Sequence, residues 1–279
     1  MICFPNAKIN LGLNIVSRRS NGYHNIETVF YPVDLRDALE VLPSDGSEGE
    51  SGSISGDYRL ILYGDPVEGN KNDNLVIRAI NLIKSERELP KIDIHLIKRI
   101  PSGAGLGGGS ADAAFMLKLL NDKLELGYRI DELKAFAAKI GADCPFFLHN
   151  KPAFATGIGD VIEPVDVDLS DYNLLIVKPD VLISTKTAYS MITPRQPEVS
   201  VKDIVKKPVE EWNNLMKNDF ETSLFKKYPQ ICELKEKLLE MGAVYSSMSG
   251  SGSAVYAIFD SKPVTEGVFG DNFVWKSWE

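Results

Sequence analysis

The amino-acid sequence predicts an α+β protein built as two units, and three observations carry that prediction. Short apolar runs broken by turn residues fill the first third of the chain. From Asp73 helical and strand-like patterns alternate, and after about Thr156 strands begin again, followed by one more amphipathic helix.

In chain order, AKINLGLNIV and TVFYPVDLRDALEVL read as strands. Residues 44–57, SDGSEGESGSISGD, are rich in Ser, Gly and acid, so an exposed, mobile connection is expected there. Leu75, Ala79, Leu82 and Ile83 then fall at helical spacing behind Asp73, which is placed to cap the first turn. Ile92, Ile94 and Leu96 alternate with polar neighbours as a strand does, and residues 110–120 resume a helical pattern. Leu133, Phe136, Ala137 and Ile140 mark a further helix, which Gly141 is expected to end in the left-handed conformation. Beyond Thr156, NLLIV (residues 173–177) reads as a strand, and residues 193–208, with three prolines, as a connection. Ile231, Leu234, Leu238 and Met241 define a helix stopped by Gly242, and AVYAIF (residues 254–259) a buried strand. No internal repeat is present, and the boundary between units falls between residues 155 and 165.

A chain of 279 residues, 44% apolar and 25% charged, has the composition of a water-soluble globular protein. It contains no run near the roughly 18 apolar residues of a membrane span. The start, MICFPNAKINLGL, lacks the pattern of a signal peptide, so a cytoplasmic location and no membrane partner are expected. Cys3, Cys144 and Cys232 are odd in number and far apart, which fits small core residues in a reducing compartment. His24, His95 and His149 have no zinc-site spacing with one another or with the cysteines. A net charge of -8 leaves no basic footprint, so no nucleic-acid partner is expected and any phosphate must be held locally. A monomer and a weak homodimer are equally compatible with this composition.

The densest signal is PSGAGLGGGSADAA, residues 101–114, in which five of the seven residues 103–109 are glycine. Gly103, Gly105 and Gly108 satisfy the dinucleotide-fold pattern G-x-G-x-x-G, but no series of parallel strand–helix–strand units surrounds them. A Walker A loop needs Gly-Lys-Ser/Thr, and here Gly109 runs into Ser110 without a lysine. The V-A-I-K, H-R-D and D-F-G motifs of protein kinases are all missing. What remains is bare backbone N–H leading into a helix N-terminus, a site for phosphate oxygens, with the Ser110 hydroxyl as a further donor. A plain flexible turn has no need of so many glycines and alanines packed at a helix start.

This stretch resembles the phosphate-binding motif of the GHMP kinases, P-x-x-x-G-L-G-S/G-S-A/S. Three further stretches are similar to the branch of that superfamily that acts on a cytidyl-diphosphate polyol. They are NAKINLGLNI (residues 6–15), RRSNGYHNIETVF (residues 18–30) and IGADCPFFL followed by AFATGIGDVIEPV; a C-terminal SGSGSAVYAIF fits as well. The resemblance spans nearly the whole chain, with Asn6 standing where many members carry proline. It implies a two-domain GHMP kinase fold, with an N-terminal domain like domain 2 of ribosomal protein S5 and a ferredoxin-like C-terminal domain. The implied division is an ATP-binding domain of residues 1–158 and a C-terminal domain of residues 159–279. Homoserine- or mevalonate-type acceptors remain the alternative within the superfamily.

The implied cofactors are ATP, held by Pro101, Ser102, Gly103, Ala104, Gly105, Leu106, Gly107, Gly108, Gly109, Ser110 and Ala111, and Mg2+, held mainly by phosphates and water with no protein ligand identified. The resemblance sets Lys8 and Asp143 at the acceptor hydroxyl; taken alone, Lys8 reads as a snorkelling lysine and Asp143 as a helix cap. As chemistry the pair is sound: a carboxylate accepts the hydroxyl proton and an ammonium offsets growing negative charge. A neighbouring lysine makes Asp143 a weaker base, which suits a loose transition state in which positioning outweighs early proton removal. Asn10, on the same strand face as Lys8, is expected at the polyol. Tyr23 and His24 follow the turn signal Asn21-Gly22 and suit stacking on a base and bonding to its edge; the resemblance makes that base cytosine. Tyr189 would flank the ring from its other face, and a core tyrosine explains it too. Asn72 and Asn74 are either helix-capping neighbours or adenine contacts. SGSGS (residues 249–253) is a loop near phosphates or substrate, or a tight turn.

Overall fold

The computed structural model describes residues 1–44, 53–55, 58–65 and 73–279, and these divide into two compact units. The division is interleaved. Met1–Ala7, Asp34–Ser102 and Gly107–Asn150 make the first unit; Lys8–Val33, Gly103–Leu106 and Lys151–Glu279 make the second. The strands of residues 8–33 pack with the C-terminal part of the chain.

The first unit is a five-stranded sheet carrying four helices. Its strands are β1 (Ile2–Cys3), β4 (Ala38–Pro43), β5 (Ser53–Ser55), β6 (Tyr58–Gly64) and β7 (Ile92–Lys98), in the order β1-β4-β7-β6-β5. β6 and β7 are parallel and joined through α1 (Leu75–Lys84), while β4 runs antiparallel to β7 with Leu39 opposite Leu96 and Val41 opposite Ile94. One face of the sheet supplies a core of Leu39, Val41, Leu60, Ile94 and Leu96. Over it lie α1, α2 (Gly108–Lys123), α3 (Ile130–Ile140) and α4 (Cys144–His149), with α2 in contact with the other three. Ala111, Ala113 and Ala114 are fully buried at the start of α2, where small side chains let its backbone come close to its neighbours.

Three local expectations change. The cap of α1 is Asn74, whose side chain accepts from the Val76 N–H at 2.9 Å, so Asp73 does not cap and Asn74 is spent on the helix. Gly141 closes α3 in extended conformation, φ −173° and ψ 155°, rather than left-handed. There its missing side chain matters for space, since a Cβ would lie 3.3 Å from the Cys144 Sγ. Within residues 44–57, Ser53–Ser55 pairs with β6 as an edge strand; the rest of that expected connection beyond Ser44, like Asn72, lies outside the described residues.

The second unit holds two antiparallel sheets. In one, β2 (Asn6–Arg18), β3 (His24–Arg36), β8 (Ala153–Thr156) and β9 (Val161–Pro164) lie in that order. In the other the order is β11 (Tyr245–Met248), β12 (Val255–Phe259), β10 (Asn173–Lys178) and β13 (Phe273–Lys276). α9 (Pro229–Glu240) packs Ile231, Leu234 and Leu238 on β11 and β12, and Gly242, at φ +94°, turns the chain out of it. The expected connection over residues 193–208 contains a short helix, α6 (Val201–Ile204), whose first N–H donates to Glu27 of β3. β2 is buried on both faces from Asn6 to Leu13, which places Lys8 and Asn10 inside the protein.

Candidate active site

The glycine loop leaves β7 and enters α2. Gly103, Gly105 and Gly107 all have positive φ, at 63°, 76° and 74°, a region closed to most side chains, and Gly107 stands at the N-cap position of α2. Gly108, Gly109 and Ser110 form the first helical turn, so the helix begins two residues earlier than the periodicity predicts. Their N–H groups have no acceptor within the helix, so this end presents open backbone donors.

In the first unit, Asp143 sits at the N-cap position of α4, but its side chain makes no capping bond, so a simple cap does not account for it. The next residue, Cys144, is buried, and burial pushes its thiol up to about 12, where it stays protonated. α4 packs against α2.

The same unit contains a buried ion cluster with no local signature in the sequence. Lys98, the last residue of β7, binds the carboxylates of Asp37 and Asp112, the latter at 2.7 Å, and all three are buried. Asp37 also accepts the N–H groups of Arg99 and Ile100, at 2.6 and 2.8 Å. Asp112 lies in α2, so Lys98 fastens the strand before the loop to the helix after it. Burial disfavours the Lys98 charge, yet Asp112 and Asp37 outweigh that and hold its pKa above the ordinary lysine value.

In the second unit, Lys8 is 3% exposed, not a snorkelling surface lysine. Its ammonium donates to the Asn10 side-chain oxygen and lies 5.0 Å from the centre of the Phe30 ring. Asn10 is also buried, and its amide nitrogen donates to the Thr28 hydroxyl at 3.0 Å. Each end of that amide is thus engaged by the protein, which turns Asn10 toward Lys8. The backbone N–H of Asn10 donates to the Ser249 hydroxyl, which in turn donates to the carbonyl of Gly105 at 2.9 Å. Lys8 N–H donates to the carbonyl of Leu106 at 2.9 Å, and Ala254 N–H to that of Ala104 at 3.2 Å. The stretch from Ser249 to Ala254 therefore braces residues 103–106. The approach is close enough that a Cβ on Gly105 would meet the Ser249 carbonyl oxygen at 2.0 Å.

The expected base-recognition residues meet in part. His24, the first residue of β3, stacks on Tyr189 of α5 (Thr185–Ser190) with ring centres 4.9 Å apart, and Tyr189 meets Phe220 edge-on. Tyr23, in the turn before β3, is 61% exposed. Burial, then the charge of Arg18, lowers the His24 pKa, which favours a neutral ring at pH 7.

The glycine loop ahead of α2, in a chain of two α+β units, matches a known class of protein. The GHMP kinases N terminal domain model matches residues 74–151, and the GHMP kinases C terminal model residues 200–267. The 4-diphosphocytidyl-2-C-methyl-D-erythritol kinase of Parabacteroides distasonis is 54% identical over 99% of this chain and 98% of its own. That of Bacteroides fragilis is 53% identical over 93% of this chain and 92% of its own. A solved structure of a 4-(cytidine 5'-diphospho)-2C-methyl-D-erythritol kinase superposes over 99% of this chain and 98% of its own, with a TM-score of 0.76 at 29% identity. The chain belongs to the 4-diphosphocytidyl-2-C-methyl-D-erythritol kinase family of the GHMP kinases.

Thr28 and the Lys98 cluster were not singled out by the sequence as site residues, whereas Ser249 lies in the SGSGS stretch that was read as a loop near phosphates or substrate, or a tight turn. Among the described residues no group of three or more His, Cys, Asp or Glu is arranged to hold a metal ion, and no helix is long and apolar enough to cross a membrane.

Proposed function

We propose that this protein transfers the γ-phosphoryl group of ATP to the 2-hydroxyl of 4-diphosphocytidyl-2-C-methyl-D-erythritol, in non-mevalonate isoprenoid precursor biosynthesis. The observation that carries the reading is family membership along nearly the whole chain, at 54% identity to an enzyme of that name. Residues 101–111 are assigned to the ATP phosphates. Three positive-φ glycines and the open end of α2 suit that load, because they aim backbone donors without side chains in the way.

Asp143 is assigned to orient the acceptor hydroxyl and take its proton late, and Lys8 to offset the charge growing on the transferred group. Burial of Lys8 supports this, since an ammonium is worth more away from water than on a solvated surface. Asn10 is assigned beside Lys8 at the polyol, with the amide hydrogen and the oxygen lone pair left over from its Lys8 and Thr28 bonds. Tyr23, His24 and Tyr189 are assigned to the cytosine. Mg2+ arrives with ATP and supplies charge neutralisation on the phosphates. The reading also takes the protein as a cytoplasmic monomer or weak homodimer with no nucleic-acid or membrane partner, and its family domains as residues 1–158 and 159–279.

The test is ATP turnover against a panel of alcohols. Product from the cytidyl acceptor, with none from homoserine or mevalonate, is the expected result; the reverse would overturn the substrate assignment.

A further inference from the structure

We infer that Thr28 is a positioning residue for the reaction, acting on Lys8 through Asn10 by a hydrogen-bond relay whose direction is fixed at both ends. The inference rests on the assignment of Lys8 above and extends it to a residue that reaches the Lys8 ammonium through the Asn10 side chain.

The direction follows from donor and acceptor chemistry. Thr28, fully buried in β3, has one hydroxyl hydrogen, and it points at the Gly12 carbonyl 2.5 Å away, a group that only accepts. Its oxygen is then left to accept, so the Asn10 side chain must present its NH2 to Thr28, at 3.0 Å. That leaves the Asn10 oxygen facing the Lys8 ammonium, which only donates. A carboxamide has nearly the same shape either way round, so packing alone would not choose between its two orientations. Thr28 chooses, and the choice puts a partial negative charge against the ammonium instead of a second set of donors.

The far end of the relay is held by backbone geometry. Gly12 has φ +63°, which turns its carbonyl toward Thr28, and a Cβ there would lie 2.7 Å from the Met216 Cγ. The near end is held by the Asn10 backbone, whose N–H donates to Ser249 and whose carbonyl accepts the Tyr256 hydroxyl at 2.9 Å. With the main chain pinned on both sides, the Asn10 side chain has rotation as its remaining freedom, and Thr28 removes it.

The test compares Thr28→Val and Thr28→Ser, each alone and combined with Lys8→Met. Turnover, acceptor KM, binding of a fluorescent ATP analogue and melting temperature are measured on the full chain. Thr28→Val keeps the side-chain shape and should lower kcat by about tenfold to a hundredfold, the scale of a misplaced catalytic group. Nucleotide affinity should stay within about twofold of wild type, while acceptor KM rises, because the Asn10 side chain that Thr28 orients is assigned to the polyol. Thr28→Ser, which keeps the hydroxyl, should restore most of kcat. In the Lys8→Met background Thr28→Val should cost nothing further in kcat, because no ammonium is then left for the relay to position. A wild-type kcat in Thr28→Val, multiplying losses in the double variant, or equal losses in Val and Ser would each overturn the inference. So would a nucleotide affinity that falls together with the melting temperature.

A crystal structure of Thr28→Val gives a readout that needs no turnover: the Lys8 Nζ should leave the Asn10 oxygen, and an unmoved Lys8 counts against the relay. If the wild type phosphorylates a different alcohol, the substrate reading fails while the Thr28 comparison runs unchanged on that alcohol.

Discussion

Asp143 and Lys8 were both legible as charges in unusual places, yet their settings differ from what local sequence implies. Asp143 occupies a cap position without capping, and Lys8 is buried in a strand closed on both faces. Asp143→Asn should lower kcat by about a hundredfold or more, the scale of a lost general base, while a fluorescent ATP analogue binds as before. Near-normal turnover would reduce Asp143 to a helix-end residue. Tyr189 carries a separate expectation. Its ring stacks with His24 and is braced edge-on by Phe220, so Tyr189→Ala should raise the acceptor KM with little change in that for ATP. Loss of one base–aromatic stack is worth about 1–3 kcal/mol, or roughly five- to 150-fold in KM. An unchanged KM would place Tyr189 among core residues.

At the scale of elements, the loop between β7 and α2 has glycines of two kinds. Gly105 lies at positive φ with the Ser249 carbonyl oxygen 2.0 Å from where a Cβ would be, whereas Gly109 is helical with its nearest neighbour, Leu75 Cδ1, at 3.7 Å. Gly105→Ala should therefore abolish nucleotide binding or lower the melting temperature sharply, and Gly109→Ala should leave the fold intact; calorimetry and nucleotide titration read both. That the stretch is bare backbone leading into a helix was readable from its composition. Which of its glycines are irreplaceable was not, because that depends on the Ser249 backbone, far away in sequence. The Lys98 clamp adds a pH dependence. Burial, opposed by Lys98 and aided by Asp37, pushes the Asp112 carboxyl up to about 7, above the 3.8 of an ordinary aspartate. The folded state then binds the Asp112 proton more tightly than the unfolded chain does. This group's contribution to stability is therefore full in acid and is lost as pH rises from about 4 to about 7. Asp112→Asn should flatten that part of the stability–pH curve in denaturant titrations, and an unchanged slope would assign the dependence to other groups.

At the scale of the whole molecule, interleaving of the chain has a consequence for fragments. Residues 8–33 belong to the second unit, where Leu13 N–H donates to the Lys217 carbonyl at 2.8 Å and Ile15 N–H to Asp219 at 2.7 Å. Residues 159–279 expressed alone would lose these partners, the Asn10 carbonyl that accepts the Tyr256 hydroxyl, and the Leu13, Ile15 and Ile26 side chains of the shared core, which exposes its apolar surface to water. The fragment should lack a cooperative melt and disperse its amide resonances poorly. A sharp transition would mean that the C-terminal part is self-sufficient. By itself, the sequence determined the α+β class, most helices and strands, the glycine loop between a strand and a helix, and the family, because periodicity and bare backbone are properties of neighbouring residues. Only the tertiary structure decided that Lys8 is buried, which way Asn10 faces, and that Lys98 ties β7 to α2. Those outcomes rest on contacts such as Asn10 with Ser249, 239 residues apart, and the donor and acceptor roles there are set by partners that no local pattern announces.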